Sequence, residues 1–75
     1  LAAEVRMGRE GPLALRAGAV AGWIVHLAGP WRLDTGWHDA PVRRDTFDVE
    51  LSDGAVYRLA QDLDTGAWSL VGRYD

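Results

Sequence analysis

The alternation of apolar and polar residues in TFDVEL, residues 46 to 51, constrains the fold of this 75-residue chain more than any other feature. Phe47, Val49 and Leu51 share one parity, which is typical of a strand with one buried face. The turn residues Ser-Asp-Gly and a second apolar segment follow, so the sequence predicts a β-hairpin.

The register of this hairpin follows from the parity of its apolar residues. A two-residue Asp-Gly turn would place Tyr57 and Leu59 on the polar face. A three-residue loop over residues 52 to 54 instead pairs Val49 with Tyr57 and Phe47 with Leu59. We predict the three-residue loop, with its glycine left-handed in a bulge.

The segment DLDTGAW, residues 62 to 68, contains Asp64-Thr65-Gly66, which matches the active-site triplet of an aspartic protease. The same three residues occur upstream as Asp34-Thr35-Gly36. Burying Trp68 pairs residues 62 and 67 across a four-residue loop, where Asp, Thr and Gly are common turn residues. A protease needs two carboxylates that share a proton, in a two-lobed architecture for which this chain is too short. We therefore interpret both triplets as turn residues, with Asp34 and Asp64 non-catalytic.

Strands are also predicted in the first half of the chain. EVRMG, residues 4 to 8, can pair with PLALRAG, residues 12 to 18, in which Leu13 and Leu15 point inward and Arg16 outward. GWIVHLAG, residues 22 to 29, is apolar at both parities, as in a central strand covered on both sides or a strand crossing a barrel corner.

No segment has a sustained helical period, so we predict an all-β fold: a small antiparallel meander or SH3-like barrel of five to six strands with little or no helix. Residues 1 to 75 are expected to form one domain, with residues 1 to 4 as a disordered or linker segment. The predicted core consists of Phe47, Val49, Tyr57, Leu59, Trp68 and Leu70.

Composition narrows the possible functions. The absence of cysteine excludes disulfides and cysteine nucleophiles. No apolar run approaches ~20 residues and no signal peptide is recognisable, so we expect a cytoplasmic protein with no membrane partner, and the start at Leu1 suggests a piece of a longer polypeptide. The net charge of -3 averages a mildly basic first half and an acidic second half.

The histidines are the candidates for a metal site. His26 lies in a predicted strand and His38 lies beside Asp39, but no HxH or HExxH spacing is present and adjacent strand residues point to opposite faces. We expect no metal and no cofactor, with His26 as a half-buried strand residue and His38 in a loop.

The four tryptophans divide into two pairs. Trp23 and Trp68 lie in predicted strands and are assigned to the core. Trp31 and Trp37 lie in GPWRLDTGWH, residues 29 to 38, together with an arginine. Aromatic rings interleaved with arginine suit a protein interface or a base-stacking platform.

Three arginines are predicted to share one surface with Trp31 and Trp37. The candidate partner-binding residues are Trp31, Arg32, Trp37, His38, Arg43 and Arg44. The structural alternative is that both rings close the end of the barrel, with Arg32 stacked on one of them and Arg43 or Arg44 paired with Asp39 or Asp45.

One ordered set of motifs extends from residue 28 to residue 75. In chain order it contains Gly29-Pro30, Asp34-Thr35-Gly36-Trp37, Arg43-Arg44-Asp45 before the Phe47 strand, Asp53-Gly54, Tyr57-Arg58-Leu59, Thr65-Gly66 with Trp68, and Tyr74. In this order the chain resembles the small C-terminal domain of ImuB-type proteins, which are catalytically defective Y-family DNA polymerase homologues. It also resembles small stand-alone bacterial proteins of unknown function. The chain departs from that pattern at His38, Thr46-Phe47 and Ser69, which thins the aromatic surface.

The resemblance implies a non-catalytic role. ImuB-type proteins act as hubs that bring an error-prone polymerase and an accessory protein to the sliding clamp, and their C-terminal regions are associated with partner contacts. We therefore expect an interaction module of bacterial DNA-damage tolerance by translesion synthesis, which binds a protein partner of that DNA-repair machinery. The alternative is a small barrel that binds single-stranded nucleic acid such as single-stranded DNA, and the third possibility is an aspartic-protease-like enzyme.

Overall fold

The structure, a computed structural model, describes the backbone of residues 1 to 35 and 42 to 74. Its strands are β1 (Ala2–Gly8), β2 (Gly11–Ala17), β3 (Val20–Thr35), β4 (Val42–Leu51), β5 (Val56–Asp62) and β6 (Trp68–Tyr74). Neighbouring strands pair antiparallel in chain order, and β1 also pairs with β6, so the sheet closes into a barrel. The predicted all-β fold is confirmed, and none of the described residues is helical.

Within these residues, no helix has the length and apolar character needed to cross a membrane.

The hairpins of the second half have the predicted registers. Phe47 lies opposite Leu59 and Val49 opposite Tyr57, across a three-residue loop that contains the left-handed Gly54 (φ 90°). In the next loop, the Asp62 N–H donates to the Ala67 carbonyl at 2.9 Å. This bond closes the four-residue loop predicted for residues 63 to 66. Both registers follow from the need to keep large apolar residues on one face.

The core lies inside the barrel and includes the six residues named for it from the second half of the chain: Phe47, Val49, Tyr57, Leu59, Trp68 and Leu70. Leu51, Val49 and Leu59 are almost fully buried, and the Phe47 and Trp68 rings contact each other at 5.6 Å between centroids. The partly buried Trp68 and Leu70 pack against this cluster. Each fully buried aliphatic side chain stabilises the fold by about 1.5–3 kcal/mol, so the interior of β4 and β5 is the main source of stability.

The predicted pairing of β1 with β2 is also confirmed, with Val5 opposite Leu15 and with Leu15 buried. The inward assignment of Leu13 is wrong, because its residue surface is 44% exposed. The ladder between β2 and β3 runs from Ala14 to Ala17, so Leu13 lies just beyond its end.

β3 turns a corner of the barrel. Its first residues pair with β2, whereas those from Ile24 onward pair with β4, with register shifts between Ile24 and His26 and between Ala28 and Trp31. Such irregularities bend a strand. Val25 is 52% and Trp23 54% exposed, so the strand is not covered on both sides, and the core assignment of Trp23 is wrong.

The first four residues, predicted to be disordered or linker, lie in the barrel wall instead. β1 begins at Ala2, which pairs with Ser69, and Ala3 pairs with Trp68. The Leu70 N–H donates to the Leu1 carbonyl at 2.7 Å. This short ladder joins the two outer strands and closes the ring.

Candidate functional site

Trp31 is held on the barrel wall by its backbone neighbours and leaves 48% of its surface exposed. It lies opposite Thr46, whose hydroxyl donates to the Trp31 carbonyl at 3.0 Å. Gly29 has a φ of 107°, and a Cβ there would lie 2.8 Å from the Thr46 carbonyl oxygen and 3.3 Å from indole Cε3. Glycine at this position therefore allows the indole and the β4 backbone to approach closely.

Arg32 pairs with the buried Asp45 directly across the strands. Its Nε donates to Oδ1 at 3.0 Å and its second guanidinium nitrogen to Oδ2 at 3.5 Å. Asp45 is 8% exposed, so this charge-assisted pair compensates for the burial of a carboxylate. Because Arg32 follows Trp31 in a strand, the two side chains leave the sheet on opposite sides.

Arg43 and Arg44 likewise point in opposite directions. Arg43 Nη1 lies 3.8 Å from Asp64 Oδ1, and both side chains are about half exposed. Arg44 lies opposite Asp62, and its buried Nε has no hydrogen-bond partner in the described part of the chain. The suggested pairing of Arg43 or Arg44 with Asp45 is wrong, since Asp45 accepts from Arg32.

The predicted surface is thus divided between two sides of the sheet. We call Trp31, Arg32, Arg43, Arg44 and Asp45 the Trp31 end. Trp37, His38 and Asp39, which the sequence adds to this region, lie outside the described residues.

Asp64-Thr65-Gly66 lies in the β5–β6 turn, as predicted. The Asp62 carboxylate accepts from the backbone N–H groups of Asp64 at 2.8 Å and Thr65 at 3.1 Å, an arrangement typical of an Asx turn. The backbone of Asp34 instead belongs to β3, opposite Arg43, and not to a turn.

His26 is exposed on the barrel wall, so its prediction as a half-buried residue is wrong. Its Nδ1 lies 2.8 Å from Glu50 Oε1, and 82% of its side chain is accessible. The register shift after Ile24 turns His26 outward to face Glu50. In residues 1 to 35 and 42 to 74, no cluster of three or more His, Asp or Glu side chains is suited to a metal ion.

A third arginine–carboxylate contact lies on the outer wall of β4, β5 and β6. Arg58 Nε donates to Asp48 Oδ1 at 3.1 Å, and the Tyr74 hydroxyl donates to the same oxygen at 3.1 Å. The guanidinium carbon lies 5.6 Å from the Tyr74 ring centroid. Partial burial, followed by the hydrogen bond to Asp48, raises the pKa of Tyr74. The charge of Arg58 lowers this pKa, but by less than these two effects raise it. The hydrogen bond to Asp48 raises the pKa of Arg58.

The structure reveals a second exposed indole that sequence analysis assigned to the core. Trp23 lies opposite Ala14 on β2, which in turn lies opposite Arg6 on β1. Arg16 and Ala21 form the next row on the same face. We call Arg6, Ala14, Arg16, Ala21 and Trp23 the Trp23 face; they line a shallow groove of about 540 Å³. The signal for it was present in the sequence: if Leu15 faces inward, a two-residue turn at Gly18-Ala19 puts Trp23 outward.

Comparisons with protein-family models, with curated proteins and with solved structures each found no match to this chain.

Proposed function

We propose that this barrel is a non-catalytic interaction module that binds a protein partner through the Trp31 end, as a component of bacterial translesion synthesis. The observation that supports the contact surface is the half-exposed indole of Trp31, whose carbonyl accepts from the Thr46 hydroxyl and whose ring lies close to Gly29. The Arg32–Asp45 pair lies next to it along the strand, on the other side of the sheet. Tryptophan and arginine dominate the energetics of protein interfaces, and a ring that is already fixed loses little entropy on binding.

The charges of the Trp31 end favour a protein over a nucleic acid. Arg32 is paired with Asp45, and Arg43 lies near Asp64. Arg44 makes no ion pair among the described residues, but its side chain is only partly exposed. A phosphate backbone is attracted mainly by cations that can release its counterions, and the guanidiniums of Arg32 and Arg43 are already partly neutralised. A protein interface instead accommodates such pairs at its polar rim.

The assignment to translesion synthesis is supported by the resemblance to ImuB-type C-terminal domains alone. It names three candidate partners: an error-prone polymerase, an accessory protein and the sliding clamp. Each can be purified and tested separately for binding.

The test is a calorimetric titration of the barrel with each candidate protein. We expect at least one to bind, and Trp31→Ala to weaken that binding by at least about tenfold, as for an interface hot spot. Trp23→Ala is the matched control, because Trp23 is a similarly exposed indole on the same strand, and it should leave the affinity unchanged. Binding by none of the three would overturn the pathway, and equal effects of the two substitutions would overturn the surface.

A further inference from the structure

Two arginines on the Trp23 face make no ion pair within the part of the chain that the structure describes. They are Arg6 and Arg16, and both side chains are exposed. Of the residues that line the groove, Glu4 is the acid, and it lies opposite Arg16 in the register without forming an ion pair with it. The groove therefore keeps a net positive charge in a protein whose overall charge is -3.

The indole of Trp23 is open to a planar ligand. It is 54% exposed, and its neighbours on this face, Ala14 and Ala21, are too small to cover the ring. Arg16, on the adjacent strand β2, is the diagonal neighbour of Trp23, with about 7–8 Å between their backbones. Arg6 lies two strands away in the same row, at about 10 Å. Both guanidiniums are within reach of an anion attached to a ring that stacks on Trp23.

We propose that the Trp23 face binds single-stranded nucleic acid, with one base stacked on Trp23 and the adjacent phosphates contacted by Arg6 and Arg16. A nucleotide carries a planar ring and an anion in one unit, so it satisfies the indole and the guanidiniums together. An acidic peptide would engage the arginines and leave the ring face unused. This site shares no residue with the Trp31 end, so it does not depend on the function proposed there.

The proposed binding has a measurable salt dependence. Two phosphate contacts to a single strand predict a slope of about -1.4 in a plot of the logarithm of the association constant against that of the salt concentration. Stacking contributes a term that depends little on salt and on base sequence. Affinity should therefore fall with salt, but only moderately.

The test is fluorescence anisotropy of a labelled oligothymidine of about ten nucleotides, from about 50 to about 200 mM salt. We expect Trp23→Ala to weaken binding at least about fivefold and Trp23→Phe to weaken it less. Arg6→Gln and Arg16→Gln should each reduce the salt slope by about 0.7. The matched controls are Trp31→Ala, and Arg9→Gln in the exposed β1–β2 turn, which removes the same charge away from Trp23. Neither control should reproduce these effects.

Four outcomes would overturn the proposal. The first is no binding of the oligonucleotide by the unmodified protein at the lowest salt. The second is an equal loss of oligonucleotide affinity in Trp31→Ala and Trp23→Ala. The third is an equal reduction of the salt slope by Arg9→Gln and Arg16→Gln. The fourth is displacement of the oligonucleotide by oligoglutamate of the same charge as effectively as by unlabelled oligothymidine, which would identify an acidic-peptide surface. If Trp23→Ala lowers the melting temperature, Trp23→Phe and the arginine variants decide the result.

Discussion

The Trp23 face and the Trp31 end contain the same types of residue but differ in how their charges are paired. Both have an indole on β3 that is about half exposed, with arginines on β3 or within two strands of it. At the Trp31 end Arg32 is held by the buried Asp45 and Arg43 lies near Asp64, while Arg44 makes no ion pair in the described part of the chain. On the Trp23 face neither guanidinium makes an ion pair with a described residue. Exposure of an aromatic ring therefore does not by itself select a ligand; the free charge beside it does.

The difference arises from the path of β3. This strand begins beside β2, in the mildly basic half of the chain, and continues beside β4, in the acidic half. The change of neighbour falls between Trp23 and Ile24, and two register shifts follow it along β4. One strand thus carries two tryptophans into different electrostatic surroundings.

The largest effect is expected for Gly29→Ala at the Trp31 end. The left-handed backbone and the 2.8 Å approach of a Cβ to the Thr46 carbonyl should lower the free energy of unfolding by about 2–4 kcal/mol. Gly22→Ala beside the Trp23 face is the control. A Cβ there would lie 3.5 Å from Leu51, an ordinary contact, so the change should stay below about 1 kcal/mol.

Urea unfolding of the two variants measures this difference, and indole N–H signals in NMR spectra locate it. The signal of Trp31 should shift in Gly29→Ala, because its Cε3 lies 3.3 Å from the added methyl group, while that of Trp23 should not. Equal stability of the two variants would show that close backbone approach does not fix Trp31.

An intermediate effect is expected when the same substitution is made at a paired and an unpaired arginine. Arg32→Ala leaves the Asp45 carboxylate buried without its ion-pair partner and should destabilise the protein by about 1–2 kcal/mol. Arg16→Ala removes a guanidinium that has no ion-pair partner in the described part of the chain and should change stability by less than about 0.5 kcal/mol. Urea unfolding checks both values, and equal effects would remove the electrostatic distinction between the two regions.

The sequence predicted the second half of the barrel well because its hairpins have unambiguous parity. Phe47, Val49 and Leu51 alternate with polar residues, and a register slip by one position would expose all of them. Each turn glycine was then assigned by the loop length that this parity required.

The first half could not be predicted in the same way, because β3 is apolar at both parities. Its bends are produced by tertiary pairing with two different strands, which no local pattern encodes. Trp23 precedes these bends and was assigned to the core because the parity of β3 alone did not place it, although the turn at Gly18-Ala19 together with an inward Leu15 puts it outward. The grouping of Trp31 with Arg32 and Arg43 failed for a simpler reason: proximity in sequence was taken as proximity on one face, although adjacent strand residues alternate.

The smallest effect is expected for Tyr74→Phe at alkaline pH. This substitution removes the hydroxyl that donates to Asp48, the carboxylate that pairs with Arg58 on the outer wall of β4, β5 and β6. The pKa of Tyr74 is raised above its ordinary value of 10.0, so its contribution to stability is complete below about pH 10 and is lost as the pH rises through the folded-state value. The unmodified protein should therefore lose more stability than Tyr74→Phe between about pH 8 and about pH 11. Urea unfolding at the two pH values gives this difference. Equal losses would mean that the hydrogen bond from the Tyr74 hydroxyl to Asp48 is not coupled to folding.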